Sequence, residues 1–139
     1  MILLDTNVLS ELMRAKPDPN VIAWVDAQRS SDLAISSITV AEILYGIART
    51  PDGKRKDALY AVATVMFEED FAGNILAFDA DAAVHYADLI AASEGRGKIA
   101  DMADGQIAAI ARLHGAWIAT RNVRHFEDFG LPLVNPWES

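Results

Sequence analysis

Cysteine is missing from the 139-residue chain, so neither a disulfide nor a thiolate metal site is available, and a reducing compartment suits it. A positive balance is missing too. Twelve Lys and Arg stand against twenty Asp and Glu, a formal charge of -8, which argues against holding nucleic acid by a broad basic surface. Brief engagement by an enzyme stays open, because the basic residues bunch around positions 49–56, 96–98 and 121–124 and can form local patches. No apolar run approaches the length that spans a bilayer, and Ile2 to Leu4 is too short for a signal segment and lacks a basic lead. A cytoplasmic protein without membrane contact is expected. Residues 1–139 form a single domain on this reading, since no repeat, low-complexity tract or linker divides them and the length suffices for a real core.

What is present alternates between short apolar runs and helical periodicity. Ile2-Leu3-Leu4 reads as a buried strand stopping at Asp5, after which Val8, Leu9, Leu12 and Met13 fall at helical spacing. Asp18-Pro19 starts a second helix through Val25, and Leu33 to Ser36 is a second strand after a turn at 29–32. A helix beginning at Thr39 carries the stripe Val40, Ile43, Leu44 and Ile47 and ends at Pro51-Asp52-Gly53. Residues 54–70 read as one longer helix with Leu59, Val62, Val65 and Met66 buried. Ile75 to Phe78 is a third strand, Asp79 caps a helix through Ile90, and residues 101–114 form an alanine-rich helix stopped by Gly115. Residues 116–120 make a fourth strand, and 131–134 a last one at a sheet edge because of Pro132. Such alternation predicts an α/β fold of three layers, a mostly parallel central sheet flanked by helices on both faces.

In sheets of that kind ligands bind beyond the carboxyl ends of the strands. Asp5 lies at such a junction, although a plain helix N-cap also accounts for it. Glu42 follows the second strand, and Thr39-x-x-Glu42 has the form of a capping box. Asp104 shares a helical stripe with Ile107, Ala108 and Ala111, a costly place for a carboxylate unless something charged or hydrogen-bonding meets it. Asp101 is on the same side and suits the N-cap of that helix. Three acids from three helix starts give an all-oxygen site, which selects Mg²⁺ or Mn²⁺ over zinc. His85, His114 and His125 are scattered without ligand spacing, and no nucleophile-elbow sequence supports a serine triad.

Taken in order, Leu4-Asp5-Thr6-Asn7-Val8-Leu9-Ser10-Glu11, Ile38-Thr39-Val40-Ala41-Glu42-Ile43-Leu44-Tyr45-Gly46, Asp104-Gly105-Gln106-Ile107-Ala108-Ala109, Thr120-Arg121-Asn122 and Asn135-Pro136-Trp137 make the chain resemble the PIN-domain ribonucleases, in particular toxins of the VapBC and FitAB type. The resemblance covers nearly the whole chain. It implies a PIN-like fold, a metal-dependent endoribonuclease, and Asp5, Glu42 and Asp104 as catalytic acids, with Asp5 and Asp104 holding the ion and Glu42 placing it or its water. It also implies an RNA substrate, an antitoxin with a DNA-binding end, a homodimer and a higher toxin-antitoxin assembly. Thr6, Asn7, Asp101 and Thr120 are candidates for orienting the acids, and Arg121 for holding a phosphate. Asn122 departs from many relatives, which carry an aspartate near that position or a few residues on, where His125 stands here; the neutral carbonyl of Asn122 leaves a second ion one charge short.

Two other functions are weighed. A phosphoacceptor receiver domain also has an acid at a strand end, but it pairs two acids after the first strand and sets a lysine after the last, and this chain does neither. A non-catalytic binding module on the same fold has no need of Asp5, Glu42 and Asp104 together.

Overall fold

The computed structural model describes residues 1–139. Strands β1 (Ile2–Leu4), β2 (Leu33–Ser36), β3 (Ile75–Leu76), β4 (Trp117–Ala119) and β5 (Leu133–Val134) form one sheet in the order β3-β2-β1-β4-β5, with every pairing parallel. Helices α1 (Thr6–Leu12), α2 (Pro19–Ala27), α3 (Ser37–Ala48), α4 (Lys54–Val65), α5 (Ala80–Gly95) and α6 (Met102–His114) connect them. The expected α/β architecture is what forms. Pro132 precedes β5, which is an edge strand, as its lost N–H requires.

Alternation along each strand divides the core in two. Leu3, Ala34 and Ile118 face one side with Ala82 and Leu89 of α5 and Ile107 to Ala111 of α6; Leu4, Ile35 and Ala119 face the other with residues of α1 to α4. Both faces are covered, which makes three layers. Because each helix returns antiparallel to the strands, the ends of β1, β2 and β4 and the start of α6 meet at one edge of the sheet. Asp5 N–H donates to the Ala119 carbonyl at 2.9 Å, which ties the ends of the two central strands together there.

Two glycines matter to this arrangement. Gly115 takes φ 63° and closes α6, and Gly105 lets α5 approach α6 so closely that an added Cβ would lie 2.7 Å from Ile90 Cδ1 and 3.0 Å from a Tyr86 ring carbon.

Several expectations are corrected. The helix expected over 54–70 is α-helical to Val65 and continues as a π turn over Met66–Asp70. Its buried side is Ala63 with Met66, while Val62 and Val65 are 42% and 47% exposed. The small Ala63 faces the core, and Val62 lines an open groove instead. Helix α3 begins at Ser37 rather than Thr39, because Ser36 is its cap: the Ser36 Oγ accepts from the Thr39 N–H at 3.0 Å. Strands β3, β4 and β5 are each shorter than their apolar runs. No helix is long and apolar enough to cross a membrane.

Candidate active site

Asp5 ends β1 and caps α1, and both of its oxygens are engaged. Oδ1 accepts from the Thr6 N–H at 2.8 Å and Oδ2 from the Thr120 hydroxyl at 2.8 Å. Thr120, fully buried just beyond β4, is held in turn by the Asn122 N–H at 3.0 Å and the Asn7 side-chain amide at 3.5 Å. The Arg121 N–H donates to Asn7 Oδ1 at 3.4 Å. The loop after β4 is therefore stitched to the first turn of α1 through side chains expected to orient the acids.

Glu42 is no capping-box residue. With Ser36 as cap, Glu42 sits in the second turn of α3, and its Oε1 accepts from the Thr6 hydroxyl at 2.6 Å. Thr6 Oγ1 also lies 2.9 Å from Thr39 Oγ1, and the Ser36 hydroxyl donates to Thr39 Oγ1 at 3.3 Å. One proton per hydroxyl fixes the direction: Ser36 donates to Thr39, Thr39 to Thr6, and Thr6 to Glu42. This relay aims an exposed carboxylate by means of a buried network.

Asp104 stands in the first turn of α6, its side chain 19% exposed, and Asp101 caps that helix by accepting from the N–H groups of Ala103 and Asp104. Asp101 thus takes the capping role and stays outside the cavity of the other acids. A partner that the sequence did not reveal meets Asp104: His125 Nδ1 lies 3.2 Å from Asp104 Oδ2. His125 sits in a short 3₁₀ turn, and no local pattern in the sequence points to this contact. Glu11 was also missed. Its buried carboxylate accepts from the Asp18 N–H at 2.9 Å and pairs with Arg14 at 3.3 Å.

Asp5, Thr6, Asn7, Glu42, Asp104, Arg121 and Asn122 all line one open cavity of about 470 Å³. None of its three candidate acids is ion-paired to a lysine or arginine. Burial pushes the Asp5 carboxyl above its ordinary value, and the charge of Glu42 adds to this, against the hydrogen bonds from Thr120 and Thr6. Burial likewise raises Asp104, to about 6, with the charges of Asp5 and Asp101 adding and His125 opposing.

Oxygen-only donors short of positive charge fit a hard divalent cation. The acids do not close into a group of three tight enough to cage an ion alone. Such a layout suits Mg²⁺, which keeps several waters and takes only one or two carboxylates.

Comparison with known proteins agrees with this reading of the fold. The chain is 48% identical to a VapC ribonuclease of Sinorhizobium fredii over 99% of both chains. It is 41% identical to the toxin FitB of Neisseria gonorrhoeae, again over 99% of both. A chain in the solved structure of FitAB bound to a DNA fragment superposes with a TM-score of 0.93 at 41% identity, over 99% of this chain and 96% of that one. The PIN domain family model matches residues 2–130, and this chain belongs to the PIN domain family.

Proposed function

We propose that the protein is a Mg²⁺- or Mn²⁺-dependent endoribonuclease, the toxin of a toxin-antitoxin pair, acting in the cytoplasm with Asp5, Glu42 and Asp104 as its catalytic acids. One observation carries this: the acid that ends β1 and one acid each from α3 and α6 share one cavity, and no lysine or arginine pairs with them. Asp5 and Asp104 would hold the ion, and Glu42 would place it or its water. A divalent cation bound there supplies Lewis acidity toward water and offsets charge on a phosphate.

The chain's own side chains do the positioning. Thr120 and the Thr6 N–H fix the rotamer of Asp5, the Thr6 hydroxyl fixes Glu42, and His125 steadies Asp104. Asp104 Oδ1 and Glu42 Oε2 take no protein hydrogen bond, which leaves them open to water or substrate. Water attacking in line at phosphorus, with the 3' oxygen leaving, gives a 5'-phosphate and a 3'-hydroxyl. Asn122 lines the same cavity but adds no charge, so one ion rather than two is the expected complement.

The antitoxin partner, with its DNA-binding end, enters through the family likeness. An open groove of about 870 Å³ runs between α1, α3 and α4, with Met13, Ile43, Ile47, Leu59 and Val62 as its apolar lining. Ser10, Arg14 and Glu42 line both this groove and the acid cavity, so a tail in the groove can bring a basic residue to the acids. A homodimer and a larger toxin-antitoxin assembly complete the proposal.

The test is to replace one acid while keeping its shape. Asp5→Asn and Asp104→Asn should fold as wild type does and lose Mg²⁺-dependent RNA cleavage by orders of magnitude. Near-wild-type cleavage by either purified variant would remove that residue from the catalytic set.

A further inference from the structure

The acid cavity continues into a second cleft of about 390 Å³, and Glu11, Arg14, Arg121 and Trp137 line both. Two guanidinium groups therefore stand at the rim of an acidic site in a protein whose net charge is -8. Each is held without being neutralised in full. Arg14, 66% exposed, meets the buried Glu11 through Nη1 alone, and Glu11 is also engaged by the Asp18 N–H. The remaining donors of Arg14 are open. Arg121 has no carboxylate partner, and its guanidinium carbon lies 5.1 Å from the centroid of the Trp137 ring.

That ring is itself fixed. The main-chain N–H of Trp137 donates to Asn135 Oδ1 at 2.9 Å, its main-chain carbonyl accepts from the Asn20 side-chain amide at 3.1 Å, and the side chain packs against the core. A guanidinium stacked on an aromatic face keeps its in-plane N–H fork free, the geometry that matches a phosphate. A carboxylate partner would have used up that fork. The neighbouring acids repel any second phosphate of a bound strand, so it needs cations just outside their cavity, and these are there. The cleft is too small for a duplex and combines charge with an aromatic, the usual grip on a single strand.

We infer that the Arg14–Arg121–Trp137 cleft binds the phosphodiester adjacent to the scissile one in single-stranded RNA. Arg121 and Arg14 contact the phosphate, and Trp137 is a positioning residue that acts through Arg121. The inference rests on the ribonuclease reading and adds a substrate subsite to it.

The experiment measures binding of fluorescein-labelled single-stranded RNA of random sequence to the full chain in a chelating buffer, as a function of salt. Arg121→Ala should weaken binding several-fold and reduce the magnitude of the log-log salt slope by about 0.7, the value for one lost phosphate contact on a single strand. Trp137→Leu should weaken binding while leaving the slope unchanged, because no charge is lost. Adding it to Arg121→Ala should have little further effect, since the ring acts through the arginine. A ring with only a structural role would give additive losses instead, and that result removes Trp137 from the subsite. Lys54→Ala, an exposed charge lining neither cavity, controls for net charge. If wild type binds and cleaves RNA but Arg121→Ala binds it with the same affinity and slope, the subsite is overturned and the ribonuclease reading stands. If wild type neither binds nor cleaves RNA under any metal condition, both fall.

Discussion

Asp104 shows how burial at a single position couples chemistry to pH. Its carboxyl is raised to about 6, so the folded state holds that proton more tightly than the unfolded chain, where the value is near 3.8. The stability this proton confers is fully present below 3.8 and is lost as pH rises through about 6. Asp5 is shifted in the same direction. Without metal, the melting temperature of wild type should therefore fall across that window more steeply than that of Asp104→Asn, which has no proton to lose. Parallel curves for the two proteins would rule out a raised Asp104. Protons and metal also compete for the site, so Mn²⁺ affinity measured by calorimetry should drop as pH falls below about 6. Asp5 and Asp104 could be picked out of the sequence because each breaks a local apolar pattern. The role of His125 could not be read, because the resemblance marks its position only as one where relatives carry an aspartate, and its contact with Asp104 is made through the tertiary fold. Thr39 was similarly opaque as a support for Thr6: a threonine's hydroxyl partner 33 positions away leaves no periodic trace.

At the level of elements, the seating of α6 against α5 decides where Asp104 stands. Gly105 follows it directly, and the space for a side chain there is taken by Ile90 and Tyr86. Gly105→Val should cost about 1–3 kcal/mol of stability by overpacking. It should also lower cleavage in protein that remains folded, since the helices must part beside Asp104, a proposed catalytic acid. Denaturant melts paired with cleavage assays check this; unchanged values would mean that α5 yields freely. The order and type of the helices and strands were readable from apolar spacing and turn residues. Phase and ends were less so. The capping box at Thr39 was a plausible pattern outcompeted by Ser36 at the true end of β2, and the stripe assigned to α4 treated Val62 and Val65 as core although the smaller Ala63 is the residue that faces inward. Periodicity reports that a helix has an apolar side, and packing partners choose which residues occupy it.

For the whole molecule, clustered acids in a chain of charge -8 imply a folded state waiting for positive charge. An ion that binds only the folded form adds about 2.7 kcal/mol at a hundredfold excess over its Kd. Millimolar Mn²⁺ or Mg²⁺ should accordingly raise the melting temperature beyond any effect of matched ionic strength, and this rise should vanish in Asp5→Asn. A basic antitoxin tail reaching the same acids would compete with the ion, so antitoxin affinity should decline as Mg²⁺ increases at constant ionic strength. A flat titration would move inhibition to the groove alone. The stacking of Arg121 on Trp137 also has an optical consequence. Of the three tryptophans, Trp24 packs against the core from α2 and Trp117 begins β4 at the end of the strand remote from Thr120, so neither lines the acid cavity. Trp137 alone sits at its mouth beneath a stacked guanidinium, which makes its emission a label-free signal for whatever draws that cation away, readable in unmodified protein by stopped-flow mixing.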